Sequence, residues 1–231
     1  MIPFNKPTIT GKEIDTIKEA INAQQLAVTG KFNKQCSTWI EQQTKGVKAL
    51  LTNSSADALE IAALLTDIKP GDEVIMPSFT DPYTANPFVL RGATIVFVDV
   101  RADTMNIDEQ KIDAAITPKT KAIVVTHFAG ISADMDRIMV TANMRNLVVI
   151  EHASQALLAS YHEKKLGTIG HFGTYSFHET KNYQCGEGGA IMINSEAHIE
   201  RARLLQKNGI EHHKDVEKAW KDVGSSYLLS E

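Results

Sequence analysis

A chain of 231 residues is long enough for one large domain or two small ones. With 43% hydrophobic and 23% charged residues, 14 Gly and 7 Pro, it excludes wholesale disorder, a collagen-like repeat and a disulfide mini-scaffold. The 24 Lys and Arg against 28 Asp and Glu leave a formal charge of −4, which supplies no general attraction for nucleic acid or an anionic membrane. The N-terminal stretch Met1-Ile2-Pro3-Phe4-Asn5-Lys6-Pro7 lacks the basic and apolar regions of a secretory leader, and no stretch approaches the roughly 18 apolar residues of a membrane span. Ile14, Ile17 and Ile21 recur at helical spacing within residues 11–25, as do Phe32, Cys36, Trp39 and Ile40 within 32–43. Short β-branched runs then alternate with helical patterns, predicting strands over 47–51, 73–76, 94–98, 122–126 and 147–151, with helices over 55–65, 82–91, 107–116 and 134–145 between them. That alternation is the mark of βαβ units and a mostly parallel sheet flanked by helices. Beyond 151 come shorter strands, over 173–177 and 190–193, and a charged helix over 196–207. The charged stretch 211–221 reads as a solvated loop or helix face. Cys36 and Cys185 stand far apart in no CxxC arrangement and read as free thiols of a reducing compartment, so the chain is expected in the cytoplasm. The last residues, Ser225-Ser226-Tyr227-Leu228-Leu229-Ser230-Glu231, read as the opening of a further element.

Ligands of open parallel sheets gather at the carboxyl ends of the strands. After the first strand stands Thr52-Asn53-Ser54-Ser55-Ala56-Asp57, where small polar residues open a helix. Such a turn is either a simple N-cap or a phosphate cradle made of amide donors and the positive end of the helix dipole. Asp57 favours the simple cap, because its carboxylate answers the dipole itself and would repel a phosphate. Lys181 follows the strand expected at 173–177 and precedes Gly186-Glu187-Gly188-Gly189. It is either a surface lysine or, in a loop freed by a glycine hinge at the sheet edge, an amine of lowered pKa able to act as a nucleophile. His127, His152 and His178 match no compact metal-ligand spacing, and no metal site is expected.

In combination, Pro77-Ser78-Phe79-Thr80, Thr84-Ala85-Asn86, Glu151-x-Ala153-x-Gln155, Ser176-Phe177-His178-x-x-Lys181 and Gly186-Glu187-Gly188-Gly189 resemble the DegT/DnrJ/EryC1/StrS family of pyridoxal-phosphate sugar aminotransferases, over the whole length of the chain. The resemblance implies an α/β fold: the large domain of a fold type I aminotransferase, with three α/β/α layers. It divides the chain into an N-terminal helical segment over 1–25 and a cofactor-binding large domain over 26–231, with the small C-terminal domain of relatives absent. It makes Lys181 the catalytic residue, holding the cofactor and then moving a proton between it and the substrate carbon. Ser176 and the backbone around Ser55 and Ala56 would hold the cofactor phosphate, and Gln155 the ring hydroxyl. His152 stands where the family carries an aspartate that keeps the ring nitrogen protonated, and Asp81 where close relatives stack an aromatic on the ring. Ala56 and Asp57 replace a threonine and a small residue. Cofactor binding weakened by Asp57, Asp81 and His152 is therefore expected. The implied reaction moves an amino group from L-glutamate to the 4-keto carbon of a dTDP-4-keto-6-deoxy sugar, for surface polysaccharide. The implied assembly is a homodimer in which the segment matching Gly224-Ser225-Ser226-Tyr227 serves the neighbouring chain. The alternative is a truncated, catalytically impaired or inactive homologue that acts as a binding or oligomerisation subunit or is a remnant.

Overall fold

The computed structural model describes residues 1–2, 5–27, 30–213 and 216–231. Pro3 and Phe4 of the N-terminal stretch, and Lys214 and Asp215 of the charged stretch, lie outside the described residues. Two helices, α1 (Glu13–Asn22) and α2 (Lys31–Thr44), precede the alternating part of the chain. There follow β1 (Lys48–Thr52), α3 (Ser55–Leu65), β2 (Glu73–Pro77), α4 (Pro82–Val89), β3 (Thr94–Val98), α5 (Glu109–Ala115), β4 (Thr120–Thr126), α6 (Met135–Arg145) and β5 (Val148–His152). A short hairpin, β6 (Ser160–Tyr161) with β7 (Lys164–Lys165), interrupts the path to β8 (Phe172–Ser176) and β9 (Gly189–Ile193). The chain closes with α7 (Ile199–Gln206) and a second hairpin, β10 (Ile210–His213) with β11 (Val216–Trp220).

Seven strands form one sheet in the order β1-β9-β8-β5-β4-β2-β3. Only β9 runs against its neighbours, pairing antiparallel with both β1 and β8, so six strands point their carboxyl ends the same way. A sheet of this kind must be covered on both faces. The two-residue period of the strands divides the core accordingly: Val74, Met76 and Val124 pack under α3, α4 and α7, while Ile75, Ile123 and Val125 pack under α5 and α6. The expected three-layer α/β/α architecture is the one observed.

Helix α3 is apolar around most of its circumference, with Ala58, Leu59, Ile61, Ala62 and Ala63 fully buried and only Asp57 and Glu60 placing charges on its partly exposed side. Its N-terminus is thereby held against the carboxyl end of β1. Ser54 caps it by accepting the Asp57 amide at 3.1 Å. The helix expected over 82–91 stops at Val89, because the chain turns through Gly92 at φ +84°. That expected over 107–116 starts at Glu109, because Asp108 caps it by accepting the Gln110 amide.

The stretch 211–221 corrects the sequence reading. Its described residues form the paired strands β10 and β11, with Ile210 opposite Trp220 and Glu211 opposite Ala219, and no helix. The ladder is made of backbone groups, which every residue type but proline supplies in full. Residues 224–228 run along their own chain: the Asn53 amide donates to the Tyr227 carbonyl, Thr52 bridges to Leu228, and the Tyr227 hydroxyl donates to Glu60 at 3.0 Å.

Candidate active site

Six parallel strands deliver their last residues to one edge, and two cavities open there, of about 340 and 350 Å³. The first is lined by residues that end or follow β2, β4 and β5, among them Thr80, Thr126, His152, Ser154 and Gln155. The second lies between the α3 N-terminus and the end of β8, lined by Ser54, Ser55, Ala56, Ser176 and His178. Asp81, Tyr83 and Lys181 wall both. Of the residues singled out in the sequence, His152 and Gln155 therefore meet in one cavity, Ser55, Ala56 and Ser176 in the other, and Asp81 and Lys181 belong to each. Asp57 lines neither, and burial raises the pKa of its carboxyl.

His152, the last residue of β5, is 4% exposed. Its Nδ1 lies 3.1 Å from Thr174 Oγ1 and 3.3 Å from Ser154 Oγ, and its Nε2 lies 3.2 Å from the Tyr83 hydroxyl. Burial, reinforced by the charge of nearby Lys181, lowers its pKa to about 3, so the imidazole is neutral near pH 7. Beneath it, Glu151 is fully buried and takes four donors: the amides of Ile169 and Gly170 on Oε1, and the Gly167 amide and His127 Nε2 on Oε2, at 2.6–2.9 Å. The Ala133 amide donates to His127 Nδ1, which places the ring proton on Nε2, toward Glu151. This network ties β5 to the 167–170 loop and to the end of β4, and so fixes where His152 sits. His127, considered above with His152 and His178 for a metal, is committed to Glu151. Among the described residues no group of three or more His, Cys, Asp or Glu could hold a metal ion.

The loop that carries half-buried Lys181 corrects the expectation of a free glycine hinge. It is closed on itself by backbone bonds from Phe177 to Gly188 at 2.7 Å, and from Cys185 to Phe177 and Glu179 to Gly186 at 2.9 Å. Gly189 serves closeness instead. A Cβ on Gly189 would collide with the backbone of Ser54 and Ser55, so only glycine lets β9 pass beside the α3 N-terminus. Ser54 satisfies the Asp57 amide, and the first-turn amides of Ser55 and Ala56 have no intrahelical acceptor, so the second cavity is a donor-rich pocket at the positive end of a dipole. Gln155 commits its Oε1 to the Ala129 amide at 2.7 Å, leaving its Nε2 as the group available to the first cavity. Asp81 caps α4, accepting the Tyr83 amide at 3.3 Å.

Tyr83, Thr174 and Ser154 were not singled out by sequence reasoning. The signal that could have found Tyr83 is the Asp81-Pro82 pair, a cap and a first-position proline that put Tyr83 in the first turn of α4. A donor-lined anion pocket adjoining an amine and a cavity with a committed amide and a neutral imidazole can hold an anionic aromatic carbonyl compound and exchange protons with it.

Known proteins similar to this chain identify it further. The chain is 37% identical over 213 residues to the spore coat polysaccharide biosynthesis protein SpsC of Bacillus subtilis, covering 90% of this chain and 54% of that protein. It is 37% identical over 205 residues to the GDP-perosamine synthase of Caulobacter vibrioides, covering 89% of this chain and 55% of that one. The chain thus spans about half the length of these curated relatives. Among solved structures, the PLP-form of Spr1654 from Streptococcus pneumoniae superposes with a TM-score of 0.92 at 28% identity, covering 99% of this chain and 63% of that one. Residues 7–231 match the family model itself, so this chain belongs to the DegT/DnrJ/EryC1/StrS aminotransferase family.

Proposed function

We propose that the chain is a pyridoxal-phosphate-dependent sugar aminotransferase, acting in the cytoplasm, with residues 26–231 as its cofactor-binding large domain and 1–25 as a helical extension. The observation that carries this reading is the position of Lys181 between a donor-lined anion pocket and the cavity at the end of β5. The residues fit the cofactor at three points: the amides of Ser55 and Ala56 with Ser176 suit its phosphate, Gln155 Nε2 its ring hydroxyl, and Lys181 its aldehyde. When bound, the cofactor supplies a carbonyl that exchanges amines and a ring that spreads negative charge. The protein's part is to hold it and to move a proton through Lys181 Nζ.

At the ring nitrogen the fit differs in kind, because His152 offers a neutral hydrogen-bonding atom in place of a carboxylate, and Asp81 offers no stacking face. Losing a charge-assisted bond of about 1.5–3 kcal/mol weakens the contact by roughly ten- to a hundredfold. We read this as a weakened hold on the cofactor. The family membership favours an enzyme over an inactive binding subunit.

The proposed donor is L-glutamate and the proposed acceptor the 4-keto carbon of a dTDP-4-keto-6-deoxy sugar. The similarity to a GDP-perosamine synthase makes the GDP-linked keto sugar the control. Incubation with pyridoxal phosphate should produce visible absorbance that is lost in Lys181→Ala, and glutamate should be consumed faster with the dTDP sugar than with the GDP sugar. Unchanged absorbance in Lys181→Ala would remove the basis of the reading. The proposed assembly is a homodimer.

A further inference from the structure

Among the described residues, Tyr83 is the one aromatic that walls both cavities. It projects from the first turn of α4, and its hydroxyl lies 3.2 Å from His152 Nε2. Its ring meets the imidazole edge-on, with centroids 5.4 Å apart. Burial, together with the charge of Asp81, raises the phenol's pKa, while the hydroxyls of Ser154 and Ser55 act in the opposite direction from close by. Ser55 opens the α3 helix and belongs to the second cavity, whereas His152 and Ser154 belong to the first. The phenol therefore stands across the cleft, between the α3 N-terminus and the end of β5.

This position has a steric consequence. A ligand with its phosphate at α3 and its ring against His152 has to pass through the place the phenol holds. The neutral imidazole has one N–H and one acceptor nitrogen, and both are engaged: Nε2 is hydrogen-bonded with the Tyr83 hydroxyl and Nδ1 with Thr174 Oγ1. The atom that would face a ring nitrogen is thus already bonded to Tyr83.

We propose that Tyr83 is a specificity-determining gate, latched on His152, that divides the cofactor slot and must swing out before a linked phosphate and ring can occupy both halves. The inference rests on the aminotransferase reading. A binding-competent state populated at about 1–10% lowers apparent affinity by that fraction. Removing the gate should therefore tighten binding by about ten- to a hundredfold.

The test compares the 231-residue protein with Tyr83→Phe and Tyr83→Ser, each shown to be folded by circular dichroism. Pyridoxal phosphate is titrated in, bound cofactor is measured by absorbance, and the Lys181 peptide is weighed after borohydride trapping. Tyr83→Ser should bind most tightly and Tyr83→Phe, which keeps the ring but loses the latch, more tightly than the parent protein. Equal or weaker binding by Tyr83→Ser overturns the gate. Should that variant not fold, Tyr83→Phe decides: tighter binding supports the gate, and equal or weaker binding overturns it. Equal binding and equal trapping in all three chains removes the gate and leaves the aminotransferase reading standing. No bound cofactor and no trapped Lys181 in any of them removes both.

Discussion

His152 couples the site to the stability of the fold. Its imidazole titrates at about 3 when folded, against 6.5 for the unperturbed group, because charging it would place a cation in a buried site beside Lys181. Between those two pH values the unfolded chain binds a proton that the folded chain does not, so stability rises with pH across this window. The contribution is complete above pH 6.5 and is lost as pH falls toward 3. It amounts to about 1.4 kcal/mol per pH unit inside the window. Chemical denaturation between pH 7 and pH 4 should therefore show a shallower loss of stability in His152→Asn than in the parent protein. Parallel slopes would mean that the ring is not held neutral. At this scale the resemblance marked Lys181, Ser176 and Gln155, each in a short run of recognisable spacing, and all three line the two cavities. Tyr83 was not marked, since its role depends on Ser55 and His152, each brought to it from a different strand end.

At the scale of elements, the close pass of β9 beside α3 shapes the anion pocket. Gly189 pairs with Thr52 on one side and Ser176 on the other, and its missing Cβ makes room for the Ser54–Ser55 backbone. Both obstructions are main chain and cannot rotate away. Gly189→Ala should therefore destabilise the protein by about 1–3 kcal/mol and weaken pyridoxal phosphate binding together. Urea denaturation checks the first effect and cofactor titration the second; a variant as stable as its parent would mean that β9 does not press on the helix. The Ser55–Leu65 helix and most strands were readable because their apolar runs are bounded by turn residues. The β6–β7 and β10–β11 hairpins were missed, since neither carries an alternating apolar pattern to announce it.

For the whole molecule, the exposed apolar face of α1 bears on assembly. Ile14, Ile17 and Ile21 lie along one side of the helix and are 62, 54 and 55% exposed. An apolar row of this kind is the surface that association would cover. If the proposed homodimer uses it, sedimentation at micromolar concentration should give a dimer. Replacing the three isoleucines by serine should then give a monomer of unchanged unfolding midpoint. A monomeric parent protein would end the proposal.

The sequence by itself determined the α/β architecture, the strand ends as the place for chemistry, and the family to which the chain belongs. These rest on local periodicity, capping residues and short motifs, all of which are properties of neighbours along the chain. Only the tertiary structure decided that one expected site is divided between two cavities, that His152 is neutral and bonded to Tyr83, and that the Lys181 loop is pinned. Those outcomes depend on desolvation and on approaches between residues tens of positions apart, such as Tyr83 and His152.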